Sequence, residues 1–374
     1  ICAEARTPML PVPDTSPALG AKVLEIGTFP FFAEAFPADT TYLHIGYRGQ
    51  FVAAAGRRLL SLASWPATLK LLRSGAYDFV VVNPTRVPPW SPTRFLRSLV
   101  NRHTLRGDFA GFRNFGQLLP LLGNRPLAVM DFDDSFLLSR HHEMLLGRAL
   151  RYFKRELPVD RWHLFTGRMV NGIPSTHFRE SRRRQALLDR IRPVCIGLRR
   201  GNPLAAIPAP REKKVDLFYR GRVSGRSTHR LTGLAEIKAL AATGISVDAS
   251  EDSMPFDAFM ARMAEARLVW SPEGLGWDCF RHYEAAAAWS VPLINMPTIE
   301  RHAPLEVGKH CIFYDVSAGD MAARIRAALA DPARLARMAA AARAHVEENA
   351  TPTAICRYMA EEMRRAAAPR AGKT

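Results

Sequence analysis

The sequence predicts an α/β protein of two Rossmann-like domains facing a cleft. Three observations lead there. Short apolar runs ending near Gly, Pro or Asp recur in both halves (residues 22–27, 77–84, 215–219 and 268–270), with segments of helical spacing between them. Such alternation builds parallel sheets with helices on both faces. Residues 199–214 are rich in Pro, Gly and charge and have no period, as an interdomain linker does. The 374 residues also exceed the ~250–300 that one core usually reaches.

Composition bounds the class. With 48% hydrophobic and 23% charged residues the chain is globular, not disordered or fibrous. No apolar run approaches the ~18–20 residues that cross a bilayer. Residues 1–20 form a Pro-rich arm with no basic start followed by an apolar stretch, so no secretory signal is expected; the missing initiator Met leaves room for residues upstream. Cys2, Cys195, Cys279, Cys311 and Cys356 are scattered without a CxxC spacing. Neither a disulfide framework nor a zinc site is expected, and a reducing cytoplasm fits. Fifty-two basic against 35 acidic residues leave a net charge of +17. That field draws nucleic acid, anionic membrane surface or phosphorylated substrates, unless the arginines are simply spread over solvated faces.

In the first half, residues 21–198, strands are expected at residues 22–27, 42–46 and 77–84, with a helix over 56–72. Residues 86–123 are irregular and mix Arg, Phe and Pro. Residues 126–134 read as a strand ending in acids, followed by a helix from 135 to about 156. Open α/β sheets place ligands beyond the carboxyl ends of their strands. Asp133 and Asp134 are therefore the candidate catalytic pair, as general base or to orient a substrate, or else helix caps. His141 and His142 point about 100° apart on a helix and cannot share a site. A strand at 162–166 and a basic helix at 175–191 follow, and residues 195–198 close the half.

The second half, residues 215–350, restarts with a strand at 215–219 running into RGRVSGRSTHR. Four arginines in those eleven residues, with Gly221 and Gly225 to let backbone come close, favour anion binding. A helix (231–242), a strand (245–247) and a helix (256–266) lead to Leu268–Asn295. There an apolar strand breaks at Pro272, Gly274 and Gly276. Asp278 is expected to cap a helix from Cys279 to Ala288, and Val291–Ile294 is the next strand. This βαβ unit turns free N–H groups toward whatever lies above the sheet. Arg281 and Glu284 lie one turn apart: a cation for phosphate beside a carboxylate for hydroxyls, or an ordinary surface pair. A strand at 311–315 follows. Asp331-Pro332 and Thr351-Pro352 each start a helix, the second opening the C-terminal segment 351–374.

Residues 213–365 resemble the donor-binding half of GT-B glycosyltransferases, especially the bacterial group-1-like and CgeB-like branch. Glu284 with the AAAAWSVPLI that follows matches the Glu that holds the donor ribose in that family. A second Glu eight positions earlier is Gly276 here; Glu273 is the nearest upstream acid. Trp289 stands where the family tends to have Gly. Gly221-Arg222 matches a Gly-Arg loop for the donor diphosphate, whose later Lys is replaced by Ser227 with Arg226 beside it. The resemblance implies a metal-independent transferase with no resident cofactor. Its donor is a nucleotide-diphosphate sugar, held by Gly221, Arg222, Arg226, Glu273, Gly274, Arg281 and Glu284. A glycan, lipid-linked or protein acceptor is implied, in bacterial surface glycan synthesis, from a cytoplasmic position with peripheral contact to the anionic inner membrane. Nucleic acid is not an expected partner, since no helix-turn-helix, zinc-finger or RRM signature is present. The alternatives are a sugar-nucleotide epimerase of the same fold, with acid and base carboxylates on both sides of the cleft, or a non-catalytic nucleic-acid-binding or scaffold protein.

Overall fold

The computed structural model describes residues 18–45, 52–60, 64–83, 119–138, 140–166, 168–170, 173–175, 182–198, 202–223 and 228–368. The chain forms two compact units, one of Asp14–Val194 with Cys356–Thr374, the other of Cys195–Ile355 with Ile1–Pro13.

Among the described residues the first unit holds a parallel sheet of β1 (Val23–Gly27), β2 (Thr40–His44), β3 (Arg57–Leu59), β4 (Phe79–Asn83), β5 (Leu127–Asp131), β6 (Arg151–Lys154) and β7 (Ile191–Pro193), in the order β7-β6-β5-β4-β1-β2-β3. Every residue of β1, β4 and β5 is buried, because helices cover both faces of such a sheet. The order reverses between β1 and β4, where Rossmann sheets bind ligands. A Cβ on Gly27 would lie 2.8 Å from the Cβ of Asn83, so glycine permits the close approach of the two strand ends.

Several local expectations fail here for tertiary reasons. Residues 57–59 pair with β2 as an edge strand, and the helix expected from 56 starts only at α1 (Trp65–Arg73), with Pro66 in its first turn. The long helix expected to residue 156 is α2 (Arg140–Arg148) alone. Residues 151–154 pair with both β5 and β7, burying Tyr152 and Phe153 completely; sheet neighbours outweigh local helix spacing. Residues 163–166 are a helical turn rather than a strand; of the basic helix expected over 175–191, Arg182–Leu188 is helical, Ser175 ends a strand, and 176–181 lie outside the described residues. The C-terminal helix Pro352–Ala367 begins with Thr351 Oγ1 accepting from the Ala354 N–H. From Cys356 on it belongs to this unit: Tyr358 donates to Pro193 O (3.0 Å), and Arg192 donates to Glu362 Oε2 (2.8 Å).

The second unit carries a parallel sheet of β8 (Val215–Arg220), β9 (Val247–Ser250), β10 (Ala266–Trp270), β11 (Val291–Asn295) and β12 (Ile312–Tyr314), in the order β9-β8-β10-β11-β12. This is the doubly wound order that reverses between its first and third strands, here β8 and β10. Alternate residues feed opposite cores. Leu217, Tyr219, Leu268 and Trp270 face one side; Phe218 and Val269 face the other with Met260 and Met263. Its helices include α3 (Thr228–Ala239), α4 (Phe256–Ala264), α5 (Phe280–Ala287) and α6 (Pro332–Asn349). Residues 202–214 are built into it: Asn202 caps a turn at Pro203–Ala206, and Ile207 is buried. The peptide of Ile196 donates to Asp278 Oδ2 (2.6 Å), and Asp278 Oδ1 accepts from Tyr283 (2.6 Å). Asp278 therefore does not cap α5, whose N-cap is Cys279.

Candidate functional site

At the reversal point of the second sheet, the loop after β8 and the loop after β10 lie under two arginines. Arg281, in the first turn of α5, donates from Nη2 to the Arg220 carbonyl (2.9 Å) and stacks its guanidinium 4.9 Å above the Tyr219 ring. The absence of a side chain at Gly221 makes that possible, because a Cβ there would stand 2.5 Å from Arg281 Nη2 and 3.2 Å from the Tyr219 hydroxyl. Arg230, on α3, reaches in to donate from Nε to the Glu273 carbonyl (2.6 Å). Burial first, and then the charge of Arg281, lower the pKa of Arg230. Two guanidinium groups that face one loop can together seat an anion.

The polar atoms left over point the same way. Among the described residues, Nε and Nη1 of Arg281 and the hydroxyl of Tyr219 are buried without a hydrogen-bond partner. Unpaired buried donors cost about 1–3 kcal/mol each, more when charged, and an acceptor such as a phosphate oxygen would relieve that cost. Glu284, three residues after Arg281, is buried. Glu273 is fixed by Asn295 at the end of β11: its N–H donates to Asn295 Oδ1 (2.8 Å) and its Oε2 accepts from Asn295 Nδ2 (3.2 Å). A Cβ on Gly274 would come 3.2 Å from Arg230 Nη2. Arg222 is exposed, its carbonyl 3.5 Å from Arg230 Nη1. The structure thus gathers Gly221, Glu273, Gly274 and Arg281 with Tyr219 and Arg230; Arg226 lies outside the described residues. Sequence reading passed over Tyr219, which looks like core, and Arg230, the last of the four loop arginines.

At the other end of α5, cations close the helix. Arg343 donates to Ala287 O (2.6 Å) and Ile207 O (2.7 Å), and Lys213 donates to Trp289 O (2.6 Å). Trp289 holds a left-handed backbone (φ 57°) that favours Gly, with its ring under the Arg343 guanidinium at 5.3 Å.

In the first unit Asp133 and Asp134 follow β5. The Asp133 N–H donates to Asp131 Oδ1 (3.0 Å), and Asp134 is ion-paired to Arg155. The deeper acid is Asp131, missed because it reads as the end of an apolar strand. Its Oδ2 accepts from the Tyr152 hydroxyl (2.6 Å), lies 3.1 Å from the buried Lys154 Nζ and 3.2 Å from His142 Nδ1. Burial opposes its charge, but Lys154 and His142 hold the carboxyl well below the usual range. Asp131, Asp133 and His142 carry ligand atoms within 4.8 Å of one another. An ammonium already neutralises Asp131, however, and a divalent ion would have to displace it, so the group fits a structural ion pair better than a metal centre.

No family model matches the sequence, and no curated protein matches it. Solved structures do. A UDP-forming α,α-trehalose-phosphate synthase from Burkholderia xenovorans is 11% identical, covers 93% of this chain and 100% of its own, and superposes with a TM-score of 0.54. A glycosyltransferase from Rickettsia africae is 9% identical over 92% of this chain and 98% of its own, with a TM-score of 0.53. An α-glucosyltransferase solved with UDP and a 13-mer DNA is 12% identical over 92% of this chain and 100% of its own, at 0.52. The fold is that of GT-B glycosyltransferases. At these identities the likeness concerns the path of the chain, and the chemistry rests on the residues above.

Proposed function

We propose that the protein transfers a sugar from a nucleotide-diphosphate donor to an acceptor hydroxyl. One observation carries the reading: Arg281 lies in the hollow over Gly221 with two buried nitrogens unpaired among the described residues, at the reversal point of the sheet, with Glu284 one turn along the same helix. Arg281, with Arg230 and Arg222, would hold the diphosphate, and Glu284 the ribose diol. As the glycosidic bond breaks, the diphosphate gains charge, and preorganised guanidinium groups stabilise that charge without reorganising. This supports a metal-independent transferase with no resident cofactor, the donor being a substrate. One neighbour of the same fold was solved with UDP, which supports a uridine donor. Asp133 or Asp134, at the carboxyl end of β5, is the proposed base for the acceptor. A glycan, lipid-linked or protein acceptor and a role in surface glycan synthesis accord with the resemblance of residues 213–365. The charge of +17 supports peripheral contact with an anionic membrane from the cytoplasmic side.

The test is a thermal-shift screen of UDP-, GDP-, ADP- and dTDP-sugars with and without Mg²⁺, followed by an assay for nucleotide release. Stabilisation by at least one sugar nucleotide, kept in the presence of chelator, is expected. No response to any of them, with salt-sensitive binding to nucleic acid instead, would defeat the reading.

A further inference from the structure

The donor reading leaves one chemical group of α5 unused. Cys279, the N-cap, makes no capping hydrogen bond with its side chain, and it is partly exposed where Cys195, Cys311 and Cys356 are buried. Its sulfur lies 3.6 Å from both ring nitrogens of His282, which places it over the imidazole face. His282 is itself fully engaged, with Nδ1 on Ser271 Oγ (2.7 Å) and Nε2 on the Trp277 carbonyl (2.9 Å). Arg281 follows two residues on, in the first turn of the helix that Cys279 opens. On the same helix turn, Arg281 Nε and Nη1, with the Tyr219 hydroxyl beneath that guanidinium, are buried and unpaired among the described residues. An anionic sulfur is stabilised in such surroundings, and a thiolate is the reactive form.

We infer that Cys279 is a modifiable thiol that closes the donor site when it reacts with peroxide. The thiolate attacks one peroxide oxygen; an S–O bond forms, the O–O bond breaks, and hydroxide leaves, giving a sulfenic acid. The added oxygen competes for the arginines that would hold the diphosphate. Burial works against ionisation of the thiol, but His282 and then Arg281 bring its pKa down. Burial pushes Cys195 and Cys356 up, and Cys311 to about 12.

This inference rests on the donor reading, and two measurements separate them. Iodoacetamide labelling of the folded protein at pH 7, read peptide by peptide, should mark Cys279 at least tenfold faster than Cys195, Cys311 and Cys356, and UDP should slow it. Hydrogen peroxide should abolish the UDP-sugar thermal shift of the parent. The Cys279→Ser protein, whatever its starting affinity, should lose none of it to peroxide. Equal labelling of the four cysteines, or donor binding that survives complete oxidation of Cys279, overturns the inference alone. An untreated protein that binds no sugar nucleotide overturns the donor reading and the gate with it.

Discussion

Arg281 fills the volume that any side chain at residue 221 would need, since a Cβ on Gly221 falls 2.5 Å from Arg281 Nη2. The glycine after β8 and the arginine of α5 are thus one structural unit, though sixty residues separate them in sequence. Gly221→Ala should expel the guanidinium from above Tyr219. The expected result is a donor KM or Kd raised about tenfold, worth about 1.4 kcal/mol, with melting temperature nearly unchanged. Calorimetric titration with UDP checks it, and unaltered affinity would detach Arg281 from the binding role.

Glu284 is buried one turn beyond Arg281. A site shaped around hydroxyls leaves polar groups unpaired when the carboxylate is removed. Glu284→Ala is expected to raise donor KM at least tenfold, with kcat changing less. Comparing UDP-sugar with pyrophosphate isolates the ribose contact: pyrophosphate affinity should be spared. An alanine variant that binds sugar nucleotide as tightly as the parent would discredit the assignment.

Glu25 is wholly buried in β1, its Oε1 accepting from the N–H groups of Phe31 (2.7 Å) and Phe32 (3.2 Å) and its Oε2 from Ala33 (3.0 Å). Burial outweighs those three donors and raises its pKa from 4.5 to about 7. A group raised on folding lends stability that is complete below its unfolded pKa and gone above the folded one. This stability, at most about 3 kcal/mol, should therefore fade from pH 4.5 to 7. Urea midpoints measured across that range should fall for the parent relative to Glu25→Gln. Parallel curves would refute the assignment.

Lys154 and Asp131 face each other inside the first unit with almost no exposure. Lys154→Met strands a carboxylate with less compensation and should cost about 3–5 kcal/mol in urea unfolding. Asp131→Leu on that background should recover part of the loss, because the uncompensated charge goes with it. If the double variant is no more stable than the single one, the cost comes from packing and not from charge.

Elements whose burial is two-sided were legible from the sequence. Val23–Gly27, Phe79–Asn83, Leu127–Asp131, Ala266–Trp270 and Val291–Asn295 are apolar runs stopped by glycine or a polar residue, and all form strands. The helix of Arg281 and Glu284 was equally clear, starting one residue after its expected first position. Arg57–Leu59 and Arg151–Lys154 misled because their strand state depends on partners distant in sequence, β2 for the first and β5 with β7 for the second.

The sequence by itself determined the alternation of strands and helices, the glycine loops and the arginines that cluster after β8, because these follow from local sterics and hydrophobic period. Tertiary structure decided which arginine enters the hollow over Gly221, that Asp278 ties down Ile196 instead of capping α5, and that Asp131 rather than the less buried Asp133 and Asp134 is the buried acid. Each of those outcomes turns on desolvation and on a partner supplied from elsewhere in the chain, neither of which a linear reading contains.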